Sequence, residues 1–269
     1  MKLSDIYIYP LKSCTAQEVS PTRVLPTGIP FDRSIVAINE RNQTLTGREC
    51  QRLTLISAKI NGNSLHLSIE ENNPLIIDLP SDEQRLIEFK LFRNKVQGLL
   101  FDKKASDWIS DVLGMNLRLV YIKEHYRPIT PKRGGTNNER MAYADASPIH
   151  VILKESVASL GTELNHDINP MRFRPNLIIS GGKPFEEDHW ETVRIGNSEF
   201  RVQQKCERCI FTTIDPITSV KDDAMEPLAT LAGFRKKRNE GLTFGIYLVP
   251  LNEGLIKVGD TVQITTSNQ

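Results

Sequence analysis

The chain has 269 residues, 39% of them hydrophobic, with 34 Lys and Arg against 33 Asp and Glu for a formal net charge of +1. That length leaves room for one large or two ordinary domains with an unstapled core, and the balanced charge excludes a global field that would draw the chain to nucleic acid or to an acidic membrane surface. Four cysteines are too few for a secreted disulfide scaffold, and no stretch approaches the roughly 18 apolar residues of a membrane span, so the expectation is a soluble cytoplasmic protein.

Residues 1 to about 120 read as short strands and turns. Ile6–Tyr9, Ile35–Ile38, Leu53–Ile60, Leu65–Ile69 and Leu75–Leu79 are β-favouring runs, and Asn61-Gly62-Asn63 marks a hairpin. Ile87–Phe92 and Val96–Phe101 suggest another pair, closed near Asn94. Ala105, Trp108, Ile109, Val112 and Leu113 then share a helical face, with Gly114 placed as a C-terminal cap, before Asn116–Ile122 returns to strand. Lys123–Ala146 carries prolines, glycines and charges with little periodicity and reads as a linker or mobile loop.

Beyond it, Val151–Leu153 is a strand, Val157, Leu160 and Leu164 space as a helix, and Leu177–Ile179 is a strand. A hairpin turning at Gly196-Asn197 leads to the cysteines. Glu226-Pro227 opens a short helix, and Phe244–Leu248 and Ile256–Ile264 close the chain as strands. The basic run 235–238 is a solvated loop or a partner-docking patch. The expected fold is mainly β with a few helices: many short strands over 1–122 argue for a barrel or sandwich, 123–146 reads as a linker or mobile loop, and 147–269 forms a second region of strands and short helices.

The chemistry concentrates at Lys205-Cys206-Glu207-Arg208-Cys209, followed by the β-branched run Ile210–Ile214. Neighbouring cations favour a thiolate, which is the form that ligates metals and attacks electrophiles. Four readings stand: an ordinary reduced pair; a zinc half-site, which lacks a second CxxC or paired histidines; a redox pair, which would sit at a helix N-terminus rather than after a strand; and a single cysteine ligating a metal otherwise held by a cofactor. Arg33, Arg48, Arg172, Arg174 and Arg208 lie at turns beside strand ends, where guanidinium forks can cradle a phosphate or serve as surface ion pairs. Lys12 and Ser13 add a charge and a hydroxyl.

Tyr9-Pro10-Leu11-Lys12-Ser13-Cys14, Phe31-Asp32-Arg33, Thr46-Gly47-Arg48, Asp145-Ala146-Ser147-Pro148, Phe173-Arg174-Pro175-Asn176 and Cys206-Glu207-Arg208-Cys209 stand in the order seen in MOSC proteins. More narrowly, the chain resembles the branch of the amidoxime-reducing component and the bacterial YcbX-type proteins, from about residue 1 to 265. The resemblance implies an N-terminal β-barrel domain and a MOSC domain holding a molybdenum cofactor between them. It makes Cys209 the metal ligand and catalytic residue. It also places Lys12, Ser13, Arg33, Arg48, Asp145, Ser147, Arg172, Arg174, Asn176 and Arg208 around the pterin and its phosphate. Asp215 is either a catalytic residue that orients or relays protons, or an ordinary turn opener.

The implied activity is reduction of N-hydroxylated small molecules, amidoximes and hydroxylamines, with a carrier of molybdenum cofactor or of sulfur as the alternative. YcbX-type chains carry a C-terminal ferredoxin-like domain; here no cysteine follows Cys209. The expectation is therefore no iron–sulfur cluster and electrons from a separate ferredoxin- or flavoprotein-type donor. No Schiff-base lysine is marked, so pyridoxal phosphate is not expected, nor is a nucleic-acid or membrane partner.

Overall fold

The computed structural model describes residues 1–136, 138–235 and 241–266, so most of the basic run 235–238 lies outside the described residues. The first half forms β1 (Lys2–Ile8), β2 (Gln17–Glu18), β3 (Thr22–Val24), β4 (Ile35–Asn39), β5 (Thr44–Leu45), β6 (Ser57–Asn61), β7 (Ser64–Ile69), β8 (Asn72–Asp78), β9 (Leu86–Leu91), β10 (Asn94–Leu100), helix α1 (Lys103–Leu113) and β11 (Leu117–Tyr121). Gly62, at φ +57°, turns the β6–β7 hairpin. Asp102 starts α1 by accepting from the Ala105 N–H, and Gly114 ends it in the left-handed region, φ +64°. Its buried face is Ala105, Ile109 and Val112.

One expected strand is shorter than its apolar run. Gln51–Leu55 is a 3-10 turn, and the Thr54 hydroxyl donates back to the Gln51 carbonyl at 2.8 Å, a local bond that competes with extended pairing.

The second half forms β12 (Arg127–Pro128), β13 (Arg140–Met141), β14 (Ile149–Leu153), helix α2 (Lys154–Leu164), β15 (Leu177–Ser180), β16 (Trp190–Ile195), β17 (Ser198–Glu207), helix α3 (Leu228–Arg235), β18 (Thr243–Pro250), β19 (Gly254–Ile256) and β20 (Val262–Thr266). The stretch expected to be a linker is a packed strap. β12 pairs with β13, Ile129, Met141 and Tyr143 are buried, and the Tyr143 hydroxyl donates to the Gln97 carbonyl at 2.7 Å. Prolines and glycines shape its turns, but apolar anchors hold it down.

Eight strands make one sheet in the order β2-β1-β15-β14-β18-β17-β16-β20, antiparallel except where α2 links the parallel neighbours β14 and β15. The sheet curls on itself, since Lys2 bridges Thr261 and the Val262 N–H donates to the Met1 carbonyl at 3.0 Å. Inside lie Leu3, Ile6, Val151, Ile179, Phe200 and Ile246, fully buried, each stabilising the fold by roughly 1.5–3 kcal/mol. A five-stranded sheet, β5-β4-β11-β10-β9, and a three-stranded sheet, β6-β7-β8, enclose a second core with α1. The halves are interwoven: β1 and β2 belong to the eight-stranded sheet of the second half, and β3 pairs with β19 in a two-stranded sheet of its own. No helix among the described residues is long and apolar enough to cross a membrane.

Candidate functional site

Where the two cores meet, the loops after β1, before β4, after β5, after β13, before β15 and after β17 converge on a cavity of about 550 Å³. β17 delivers the thiols. It carries bulges between Val202 and Gln204 and between Lys205 and Glu207, irregularities that re-aim side chains at a strand end. Cys206 falls inside and is buried; Cys209, beyond the strand, lines the cavity and is half-buried. All four cysteines are free.

Ile210–Thr213 is a 3-10 turn rather than the alternating strand its β-branched run suggests. The Thr212 and Thr213 hydroxyls donate to the Cys209 and Ile210 carbonyls at 3.0 and 2.7 Å and wind the chain away from the sheet. The turn puts the Phe211 ring so close to Gly47 that a Cβ there would lie 2.3 Å from it.

Lys12, Ser13, Arg33, Arg48, Asp145, Ser147, Arg174, Asn176, Arg208 and Cys209 all line the cavity. Lys12 donates to the Tyr143 carbonyl at 2.8 Å and pairs with Asp145. Arg48 Nη2 bridges this carboxylate and the thiol, 3.3 Å from Asp145 Oδ2 and 3.3 Å from Cys209 Sγ. Desolvation would raise the Asp145 carboxyl, but Lys12, Arg48 and Arg127 overcome it and hold the group well below the usual carboxylate range. Burial lowers the Lys12 ammonium, opposed by Asp145.

Arg33 spans the seam between the two cores. It meets Asp32 at 2.5 Å, Asn176 Oδ1 at 2.9 Å and the Arg174 carbonyl at 2.9 Å. Arg33 and Arg174 both stack on the buried ring of Tyr9, at 4.3 and 4.0 Å. Asn176 in turn accepts from the His150 N–H at 3.1 Å and donates to the Tyr7 carbonyl at 3.0 Å. Ser13, Arg33 and Arg174 all hold left-handed backbone, φ +73°, +47° and +53°, an uncommon conformation for such residues that clusters at functional sites. The Ser13 and Ser147 hydroxyls serve the frame: one accepts from the Gly47 N–H at 3.0 Å, the other donates to the Leu248 carbonyl at 3.0 Å.

Arg172 and Asp215 do not line the cavity. They pair with each other at 2.8 Å, and Arg172 also donates to the Thr213 carbonyl at 3.0 Å, bracing the turn behind Cys209. Asp215 Oδ1 accepts from the Ile217 and Thr218 N–H groups at 2.9 and 3.0 Å, the geometry of a turn opener. Burial would raise its carboxyl, but those amides and Arg172 lower it.

His150, Tyr247, Phe92, Phe211, Lys132 and Arg133 also line the cavity and carried no motif. His150 is buried, and desolvation with Arg208 nearby pushes its imidazole well below the ordinary value, so it is neutral near pH 7. Its Nδ1 lies 3.4 Å from the Arg174 carbonyl and its Nε2 3.5 Å from Arg208 Nη1. Arg208 Nη1 also donates to Cys206 Sγ at 2.7 Å; burial raises that thiol, against the pull of Arg208 and Tyr247. Seven Lys and Arg line the cavity (Lys12, Arg33, Arg48, Lys132, Arg133, Arg174, Arg208) against the carboxylates of Asp145 and Glu207. A chain of net charge +1 thus holds a strongly electropositive pocket.

Residues 1–116 match the MOSC N-terminal beta barrel domain and residues 138–263 the MOSC domain. Mitochondrial amidoxime-reducing component 1 of Mus musculus is 32% identical over 97% of this chain and 82% of its own, and that of Homo sapiens 31% over the same shares. The chain belongs to the MOSC family, on the branch of the amidoxime-reducing components. A crystal structure of the YuaD protein from Bacillus subtilis aligns with 99% of this chain and 96% of that one, with a TM-score of 0.46 and 10% identity. In this MOSC chain the stretch between the two matched segments, 117–137, holds β11 and the start of the strap, and the cavity draws side chains from both segments.

Proposed function

We propose that the protein is a molybdenum-cofactor-dependent reductase of N-hydroxylated compounds, amidoximes and hydroxylamines, supplied with electrons by a separate ferredoxin- or flavoprotein-type donor. The observation that carries this reading is the Cys209 thiol, in a cavity rimmed by guanidinium groups and 3.3 Å from Arg48. The donor set fits an anionic cofactor: Arg174 Nη2 and Arg208 Nε are buried and have no hydrogen-bond partner among the described residues, although both side chains line the cavity. No three His, Cys, Asp or Glu side chains among the described residues cluster as a metal cage, and a metal held by Cys209 would be completed by the cofactor's own donors. The names of the relatives point to amidoximes as substrates.

Cys209 would be the metal's protein ligand, and Arg33, Arg174 and Arg208, with Lys12 and Asn176, would hold the pterin and its phosphate. When bound, the cofactor supplies two electrons for cleavage of the N–O bond, with two protons completing the amine or amidine and water. Asp145 stays ionised and so orients Lys12 and Arg48 rather than donating a proton. His150, neutral, lies with Nδ1 against the Arg174 carbonyl and would help to position that segment. The four unpaired cysteines suit a reducing compartment, and we place the protein in the cytoplasm, whereas the relatives are named as mitochondrial.

Holoprotein given a reduced artificial donor and benzamidoxime is expected to yield benzamidine, with molybdenum in metal analysis. Cys209→Ala is expected to lose both metal and turnover. Benzamidine formed by a molybdenum-free Cys209→Ala protein would overturn the proposal; loaded wild type that forms none would favour the carrier reading.

A further inference from the structure

The cavity has an aromatic edge that no motif marks. Phe92 lines it from the tip of the β9–β10 hairpin, where the pairing of Leu91 with Asn94 leaves Phe92 and Arg93 as a two-residue loop. Loops of this length need positive φ and favour Gly, Asn or Asp. Phe92 sits there at φ +56°, an unfavourable conformation for a bulky side chain. Core packing does not explain the choice. Ile87, Phe89 and Leu91 of the same hairpin turn into the core, whereas the Phe92 ring is 43% exposed and joins none of the apolar clusters among the described residues.

The neighbours of the ring are the working cations. Lys12 Nζ lies 5.2 Å and Arg48 Cζ 5.4 Å from its centroid. Both are tied to Asp145, and Arg48 reaches Cys209 Sγ at 3.3 Å. Cation–π attraction to two anchored charges fixes a ring that would otherwise swing at a loop tip. Three other aromatic rings line the cavity, Phe173, Phe211 and Tyr247. Phe173 is fully buried and stacked on Phe244 at 4.1 Å, and Phe211 is wedged against Gly47. Of the aromatic rings that line the cavity, Phe92 is the exposed one: Phe211 and Tyr247 are half-buried and Phe173 is buried.

We propose that Phe92 is a specificity-determining residue of the site: its ring is a preorganised wall on which the flat body of an aryl N-hydroxylated substrate stacks, with the N–OH group directed toward Cys209, so that aryl amidoximes are taken in preference to alkyl ones. This assignment rests on the reductase reading. It requires an apolar, planar substrate body and leaves the N–O chemistry itself to the centre at Cys209.

The test compares benzamidoxime with acetamidoxime in wild-type, Phe92→Ala and Phe92→Tyr holoproteins, with isothermal titration of both compounds alongside turnover. Phe92→Ala is expected to raise KM for benzamidoxime about fivefold with kcat unchanged. It is expected to weaken benzamidoxime binding in the titration by the same factor and to leave acetamidoxime, molybdenum content and Tm as in wild type. Phe92→Tyr, which keeps the ring, is expected to restore the aryl preference. Equal losses on both compounds would reduce Phe92 to a structural cover for Lys12 and Arg48, and an unchanged benzamidoxime KM would remove it from the site; either overturns the proposal. Should the wild-type holoprotein reduce neither compound, the reductase reading falls, and the titration, which needs no turnover, still decides whether Phe92 selects the aryl ring.

Discussion

At the seam between the two cores, carboxylates come with cations attached. Asp32 is 5% exposed, meets Arg33 at 2.5 Å and accepts from the Tyr9 N–H at 2.9 Å, while Asp145 is held ionised by Lys12 and Arg48. On the far flank of the eight-stranded sheet, against α2, Glu187 is fully buried, the Ser156 hydroxyl donates to it at 2.9 Å, and its Oε1 has no side-chain partner among the described residues. The cations nearby are taken by its neighbour, since Asp188 pairs with Arg235 at 2.9 Å and Lys205 at 3.4 Å. Burial pushes the Glu187 carboxyl up to about 7. The contrast teaches what pairing does: at the seam it keeps charge available for an anionic ligand, and on the flank its absence leaves an acid whose ionisation works against the fold.

The largest change is expected from making the seam resemble the flank. Arg33→Ala would strand the Asp32 carboxylate and cut the links to Asn176 and Arg174, lowering stability by about 3–5 kcal/mol in urea denaturation of the cofactor-free protein. Arg33→Lys should recover only part of this, because an ammonium cannot reproduce the forked contacts. A loss under 1 kcal/mol, on the order of a surface pair, would mean the seam is not locked by this residue.

Glu187→Gln sharpens the other side. The folded protein keeps the Glu187 proton up to about pH 7, whereas the unfolded chain releases it near 4.5. Between those values the folded state binds more protons at this group, so the contribution of Glu187 to stability is greatest below pH 4.5 and is lost as pH rises through 7. Removing the ionisable group should flatten that decline by about 3 kcal/mol, read from Tm against pH. Parallel profiles for wild type and variant would mean that the flank carries no such acid.

Arg172 and Asp215 stand between the two cases, a pair with side chains 16% and 29% exposed. Asp215→Asn keeps the oxygen that caps the turn, so stability should move by less than about 1 kcal/mol and turnover should not move. A fall in kcat with KM held would reinstate Asp215 as a proton relay.

Much of this arrangement is legible locally. The hairpins at Asn61-Gly62 and Gly196-Asn197 and the caps of α1 depend on neighbours in the chain, so residue types alone announce them. The Arg, Lys and Cys motifs likewise named ten of the cavity's side chains. Threonine back-bonding converted two apolar runs into 3-10 turns, and packing of Tyr143 and Ile129 turned an expected linker into a wall. Phe92 and His150 lacked any motif because their roles come from what they face.

The amino-acid sequence by itself determined a β-rich chain, its family and the thiol and guanidinium groups available to it, because periodicity, turn chemistry and motif order are properties of short segments. Only the tertiary structure decided which of those groups share a cavity. Lys12 and Asp145 are 133 positions apart and Arg33 and Arg174 141, and what brings them together is the β1–β15 pairing and the burial of two cores side by side, a cooperative outcome of the whole chain.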